Sequence, residues 1–315
     1  MKKPFITIEG QYQLLLSRGL IIQNAEEAKE YLLCNNYYNV VNGHGHFLIS
    51  TPNHYLPGSD FLEIVAIHQF DSQFKNILFR AIIKIENMFV SVLSHMYSEA
   101  YQTEQNPYLN PANYSPSRMH SILSFQTDLR TIIRKYSSST INNPVRHYVR
   151  TYGHVPLWVL SNYMTFGQTA TLFGLATSSV RNSTSKCLNI IISKNLELQY
   201  VSMIAISPKD YDRIIGNMRD IRNLLAYDNM LYGYRCKGSF PYIPAIHQRL
   251  GILPRDSRLT VYDVFVVARL FMSNEHYTKM DDQVHELAST LHSSLHTIDS
   301  SVILGSLGFP NDYTA

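Results

Sequence analysis

The sequence predicts an all-α protein, and three observations predict it. Apolar residues recur at three- and four-residue steps through most of the chain. Helix-start signatures, a capping side chain followed three residues later by a carboxylate, occur repeatedly. Only two short stretches, near Val40 to Ser50 and Tyr200 to Ile206, tempt a strand assignment. With 315 residues, 45% of them hydrophobic, the chain can bury a large core as one large domain or two intertwined ones.

The elements follow in order. Asn24 with Glu27 reads as a cap for a helix to about Asn35, and Asp60 with Glu63 opens a longer one. Within the latter Phe70, Phe74, Leu78, Ile82, Ile85, Phe89, Leu93 and Met96 form a core-facing stripe, and a straight helix from 60 to 100, long as it is, fits the pattern. Asn106-Pro107 and Asn110-Pro111 break the chain, Ser115-Pro116 opens a helix over about 116–135, and Ser137 to Pro144 is loop by composition. Further helices are expected from Leu157 to Phe173 and from about Ser178 to Leu196. Ser207-Pro208-Lys209-Asp210 supplies a cap, a proline at the first helical position and an acid at the third, a strong start for the next helix. After a polar, proline-containing region from Arg235 to Pro254, Thr260 with Asp263 caps one more helix, and a last one covers roughly Lys279 to Leu295. No repeat of fixed period is present, and the expected organisation is an N-terminal helical segment 1–58, a helical core 59–240 and a C-terminal helical extension 241–315, intertwined as one domain.

Composition narrows the function classes. A net charge of +3 creates no overall field that demands a nucleic-acid partner, although the 27 Lys and Arg can gather on one face. Three widely spaced cysteines, Cys34, Cys187 and Cys236, form no disulfide framework or zinc pattern and fit a reducing cytoplasm. The residues after Met1-Lys2-Lys3 are broken by Glu9, Gln11 and Gln13, so no signal-peptide core is expected. The most apolar window, Val261 to Met272, is too short for a bilayer and carries Asp263 and Arg269, so no membrane partner is expected. No Gly-rich phosphate loop, nucleophile elbow or paired-carboxylate constellation is evident, and no cofactor is expected. Gly43-His44-Gly45-His46 resembles a metal tract but has no nearby acid or thiol in sequence; it reads as loop, with no metal expected.

The most informative stretch is Met218-Arg219-Asp220-Ile221-Arg222-Asn223-Leu224-Leu225-Ala226-Tyr227, where Ile214, Met218, Ile221 and Leu225 make an apolar face beside the polar Arg219, Arg222 and Asn223. It resembles the Arg-Asn-x-x-Ala-His segment of HEPN ribonucleases with Tyr227 in place of the His. Cleaving RNA at its 2′-hydroxyl requires proton transfer, for which imidazole is suited, and charge stabilisation on the phosphorus, for which a planar guanidinium is suited. A bland alternative is that Arg222 pairs with Asp220 or Asp228, or caps a helix C-terminus. Arg269 and His276 also fit a bare Arg-to-His spacing, but Leu270 follows the Arg and the match reads as accidental.

Further stretches widen the resemblance to most of the chain: Leu14 to Ile22, Asn36-Tyr37-Tyr38, Phe70 to Leu78, Ile85-Glu86-Asn87, Pro156 to Leu160, Thr165-Phe166-Gly167 and Arg222 to Ala226 with Asn229 and Leu231-Tyr232. Together they resemble the Abi-D/Abi-F abortive-infection family of bacterial antiphage proteins. The resemblance implies an all-α, HEPN-type helical bundle with the core at 59–240, and a homodimer that brings two Arg-Asn helices together. It also implies metal-independent endoribonuclease toxicity restrained by a partner, which in some members is a structured noncoding RNA. On this resemblance Arg222 is the phosphate-binding Arg, Asn223 its polar neighbour, and Tyr227 stands at the His position; a phenol, with a reference pKa near 10, is a poor base at neutral pH. Arg219, Arg235, Lys237, Arg146 and Arg150 are the further candidates for RNA contact. The rival expectations are a catalytically silent RNA-binding protein and a helical protein scaffold without RNA.

Overall fold

In the computed structural model, which describes residues 5–198 and 204–313, the chain is all-α. It enters through α1 (Ile8–Ser17) and α2 (Ala25–Asn35), capped by Thr7 and Asn24. The stretch near 40–50 is mostly helical turns, a π turn over Tyr38–Asn42 and a 3-10 turn over Gly45–Leu48. Only its end pairs as a strand: β1 (Ile49–Thr51) runs antiparallel to β2 (His54–Tyr55), the one named sheet among the described residues. Residues 200–203 of the second tempting stretch lie outside the described residues, as do Met1 to Lys3, and 204–206 are not strand.

The helix that organises everything else is α3 (Phe61–Ala100), one continuous run of 40 residues and so about 60 Å long. Asp60 accepts the Leu62 N–H at 2.8 Å, and Glu63 Oε2 accepts the Asp60 N–H at 3.1 Å, closing the expected capping box. Glu63 does more than cap: its carboxylate also accepts the N–H groups of His296 (2.9 Å) and Thr297 (2.8 Å) and the Thr297 hydroxyl (2.6 Å), tying the far end of the chain to this helix start. Phe74, Leu78, Ile82, Ile85, Phe89 and Leu93 are all fully buried, each stabilising the fold by about 1.5–3 kcal/mol.

Around α3 pack α6 (Leu157–Leu160), α8 (Ser178–Asn195), α9 (Pro208–Ala226) and α12 (Asn274–Ser294). The core formed this way extends through α4 (Met119–Ser137), α7 (Phe166–Leu175), α11 (Val261–Ala268) and α13 (Ser300–Leu307). A second, smaller cluster, including Leu15, Leu32, Val40, Leu48 and Ile64, joins the N-terminal segment to the start of α3.

Boundaries depart from expectation where capping chemistry was overlooked. The helix expected over Leu157 to Phe173 is split, because Thr165 accepts the Gln168 N–H at 3.2 Å while Gln168 Oε1 accepts the Thr165 N–H at 2.9 Å. That box needs Thr165 extended (φ −76°, ψ 158°), which ends one helix and starts α7. Pro116 opens a 3-10 turn before α4 rather than α4 itself, and α12 starts at Asn274 because Ser273 caps it. Four short helices, α1, α5 (Pro144–Tyr152), α10 (Pro244–His247) and α13, lie beyond what the sequence pattern announces.

Candidate functional site at the end of α9

Helix α9 begins as the sequence predicts: Ser207 accepts the Asp210 N–H at 3.2 Å and its own hydroxyl donates to the Asp210 carboxylate at 2.7 Å. Its apolar side, Tyr211, Ile214, Met218 and Ile221, is fully buried against the core, which fixes the roll of the helix and therefore where each polar residue points. The helix ends at Tyr227 with Asp228 in the left-handed region (φ 51°). Asp228 N donates to Leu225 O (3.1 Å) and Asn229 N to Leu224 O (3.0 Å), so the last carbonyls are satisfied by a Schellman turn with aspartate where glycine is usual.

Arg222 points toward α3. Its Nε lies 3.5 Å from Glu86 Oε2, and neither of these two buried atoms makes a hydrogen bond. Burial pushes the Glu86 carboxyl above the ordinary carboxylate range, and the Arg222 charge pulls it part of the way back. The Arg222 side chain is about one-third exposed, so part of the guanidinium still reaches solvent. The alternative partners are engaged elsewhere: Asp220 by Arg219 and Lys237, Asp228 by Lys75.

Asn223 and Tyr227, four residues apart, share a different face. With Asp220, Leu224, Tyr234 and Lys237 they line an open depression of about 320 Å³, where the Tyr227 ring is 81% exposed. Five residues along a helix is about 140° of rotation, so Arg222 and Tyr227 diverge instead of converging on one point in a single chain. Asp220 organises the cations at this depression. Its Oδ1 accepts two bonds from Arg219 (3.0 and 2.8 Å) and its Oδ2 lies 2.9 Å from Lys237 Nζ. Burial favours the neutral acid here, yet the bonds from Lys237 and Arg219 outweigh it and hold the carboxyl below the usual range. Of these three charged groups, Asp220 and Lys237 line the depression itself, and Arg219 lies beside it.

Of the other candidates, Arg235 is exposed in the segment just past the motif. Arg146 and Arg150 sit on α5, which packs on α4 and α6, whereas α9 packs on α3, α7 and α8. Arg146 donates to Thr140 O at 2.9 Å and steadies its own loop, so the structure does not bring this pair to α9.

A buried network behind the helix end escaped the sequence reading. His44, expected as a loop residue, is buried; its Nδ1 lies 2.9 Å from Asn39 O and its Nε2 3.3 Å from Asp71 Oδ2. Asp71 Oδ2 also pairs with Lys75, whose Nζ reaches Asp228 Oδ1 at 3.1 Å. The chain of contacts therefore runs from the N-terminal segment through α3 to the turn that ends α9. The signal was available: Asp71 and Lys75 interrupt the apolar stripe around Phe70, Phe74 and Leu78, and charges at core positions need partners.

A long axial helix, and a helix end bearing a one-third-exposed arginine beside an open polar depression, define an α-helical protein with its candidate site at the end of α9. The chain belongs to the Abi-like protein family, whose model matches residues 30–233 and so takes in α3, α9 and the Arg222, Asn223 and Tyr227 positions, ending just before Tyr234 and Lys237. No curated protein and no solved structure matches it. Family membership points to abortive infection. No described helix is long and apolar enough to cross a membrane.

Proposed function

We propose that this protein is an endoribonuclease toxin of an abortive-infection, toxin–antitoxin type of antiphage system, of the HEPN kind and the Abi-D/Abi-F branch, attenuated by Tyr227. The observation that carries the proposal is the Arg222-Asn223 pair at the exposed end of α9, its arginine beside the largely buried Glu86 carboxylate and its neighbour opening onto a depression lined by Lys237 and Asp220. In the reaction, the RNA 2′-hydroxyl attacks the adjacent phosphorus, the bond to the 5′-oxygen breaks, one proton leaves the 2′-oxygen and one reaches the departing oxygen. Arg222 would hold the phosphoryl oxygens and Asn223 would orient them. The proton transfers belong to position 227, where a phenol serves as a donor but not as a base near pH 7.

The divergence of Arg222 and Tyr227 around the helix supports a homodimer, because a second copy across a twofold axis would bring its own pair opposite and complete the site. The free cysteines suit a reducing cytoplasm. A catalytically silent RNA-binding protein, holding a structured noncoding RNA in the same cleft, is the second reading, and the tyrosine at 227 favours it.

Tyr227→His separates them. The expected result is a gain of RNA cleavage and growth arrest of about a hundredfold or more, the usual share of general acid–base catalysis, lost again when Arg222→Ala is added. Retention of labelled RNA with no cleavage by the His variant supports the silent binder. Neither cleavage nor retention overturns both.

A further inference from the structure

The exposed side of α3 carries a feature that the site on α9 does not use. Two depressions lie along it, one of about 760 Å³ against α12 and one of about 800 Å³ against α6. Both are floored by the same helix face: Arg80 and Lys84 in the first, Asn87, Ser91 and His95 in the second, each three or four residues from the next. The first ends at Lys84 and the second begins at Asn87, one turn on, so the two adjoin as a single trough. Along α3 it runs from Gln73 to the helix end at Ala100, about 41 Å, with Gln102 just beyond.

Its chemistry changes along its length. At the α12 end, Arg80 and Lys84 are exposed and, among the described residues, make no ion pair; Lys279 on the opposite wall is tied to Glu275 at 2.7 Å, and Glu286 is the one acid in the lining. At the α6 end the lining is small hydroxyls and amides, with Glu99 the one acid, beside Trp158. Trp158 is the only tryptophan of the chain and is 55% exposed. An indole left in water forgoes the apolar burial its large ring would otherwise provide. Free cations at one end and a bare aromatic face with hydrogen-bonding groups at the other match what a single nucleic-acid strand requires, phosphate neutralisation and base stacking.

We infer that single-stranded RNA lies in the α3 trough, its phosphates on Arg80 and Lys84 and a base stacked on Trp158. At ~3.4 Å per stacked nucleotide the trough holds about a dozen nucleotides, within the ~4–16 found for single-strand sites. Glu86, the partner of Arg222, immediately precedes Asn87 in the trough, so a strand bound there passes within about one helix diameter, ~10–12 Å, of Arg222. The inference rests on the ribonuclease reading and assigns the surface that would deliver substrate to it.

The test uses the full chain and a 2′-O-methylated 15-nucleotide oligouridylate, which cannot be cut because its 2′-oxygen is blocked. Binding should quench the fluorescence of Trp158, the single indole reporter. By anisotropy, Trp158→Ala should weaken binding about 5- to 150-fold. Arg80→Ala/Lys84→Ala should lower the slope of log K against log salt by about 1.4, ~0.7 for each phosphate released, whereas Arg130→Ala/Arg134→Ala on α4 should leave it unchanged. Binding without quenching and without loss in either trough variant overturns the trough while leaving RNA recognition intact. Absence of any binding overturns both. A dimer that the trough variants split, with RNA affinity unchanged, overturns the trough as an RNA site and gives this face to a second copy of the chain.

Discussion

Replacing Lys75 with methionine probes the buried network that supports the end of α9. The substitution keeps the length of the aliphatic stem and removes only the charge. Asp71, 2% exposed, would keep a single neighbour, His44 at 3.3 Å, since its other oxygen has no hydrogen bond in the native protein. Removing one partner of a buried pair leaves the other charge desolvated and costs about 3–5 kcal/mol. The lost contact to Asp228 adds little, because that carboxylate is largely exposed and such pairs contribute at most ~1 kcal/mol. Against a total stability of about 5–15 kcal/mol, Lys75→Met should shift the urea midpoint strongly, followed by helical circular dichroism at unchanged slope. Asp71→Leu/Lys75→Met should recover most of the loss, since a buried ion pair is replaceable by apolar groups of similar volume. A Lys75→Met protein within about 1 kcal/mol of the parent, or a double variant no more stable than the single one, would refute the claim that this pair is buried and mutually dependent.

Two further outcomes are expected. His247 is fully buried, its Nδ1 accepts the Ile243 N–H at 2.8 Å, and burial with the nearby Arg258 pushes its pKa down from 6.5 to about 4. The unfolded chain takes up this proton first, so stability should fall by about 3 kcal/mol as pH drops from 6.5 to 4, and His247→Gln, measured by denaturation at each pH, should flatten that limb. Asp228 occupies a left-handed position (φ 51°), so Asp228→Gly should stay within about 0.5 kcal/mol of the parent while Asp228→Val is at least ~1 kcal/mol worse, read by thermal melting.

Legibility in the sequence followed the range of the interaction. Helix starts set by local capping, Asp60 with Glu63, Ser207 with Asp210 and Thr260 with Asp263, stand where the residues announce them, because cap and acceptor are three residues apart and no distant contact decides the outcome. The 40-residue α3 was legible for the same reason, its stripe being long enough to survive any local ambiguity. What the pattern left dark was held by long-range partners. Glu63 announces a cap but not its bonds to His296 and Thr297, more than 200 residues away. Arg222 announces a guanidinium but not Glu86, and the nearer acids Asp220 and Asp228 were the natural guesses until packing assigned each to another cation. The same limit governs the site itself. A spacing of five residues brings two side chains close along the helix axis, yet the roll imposed by Ile214, Met218 and Ile221 sends Arg222 to α3 and Tyr227 to solvent. Helix rotation, a property of the buried face, therefore decides whether one chain carries a complete site or half of one. Here the two side chains diverge, which is the physical argument behind the proposed second copy.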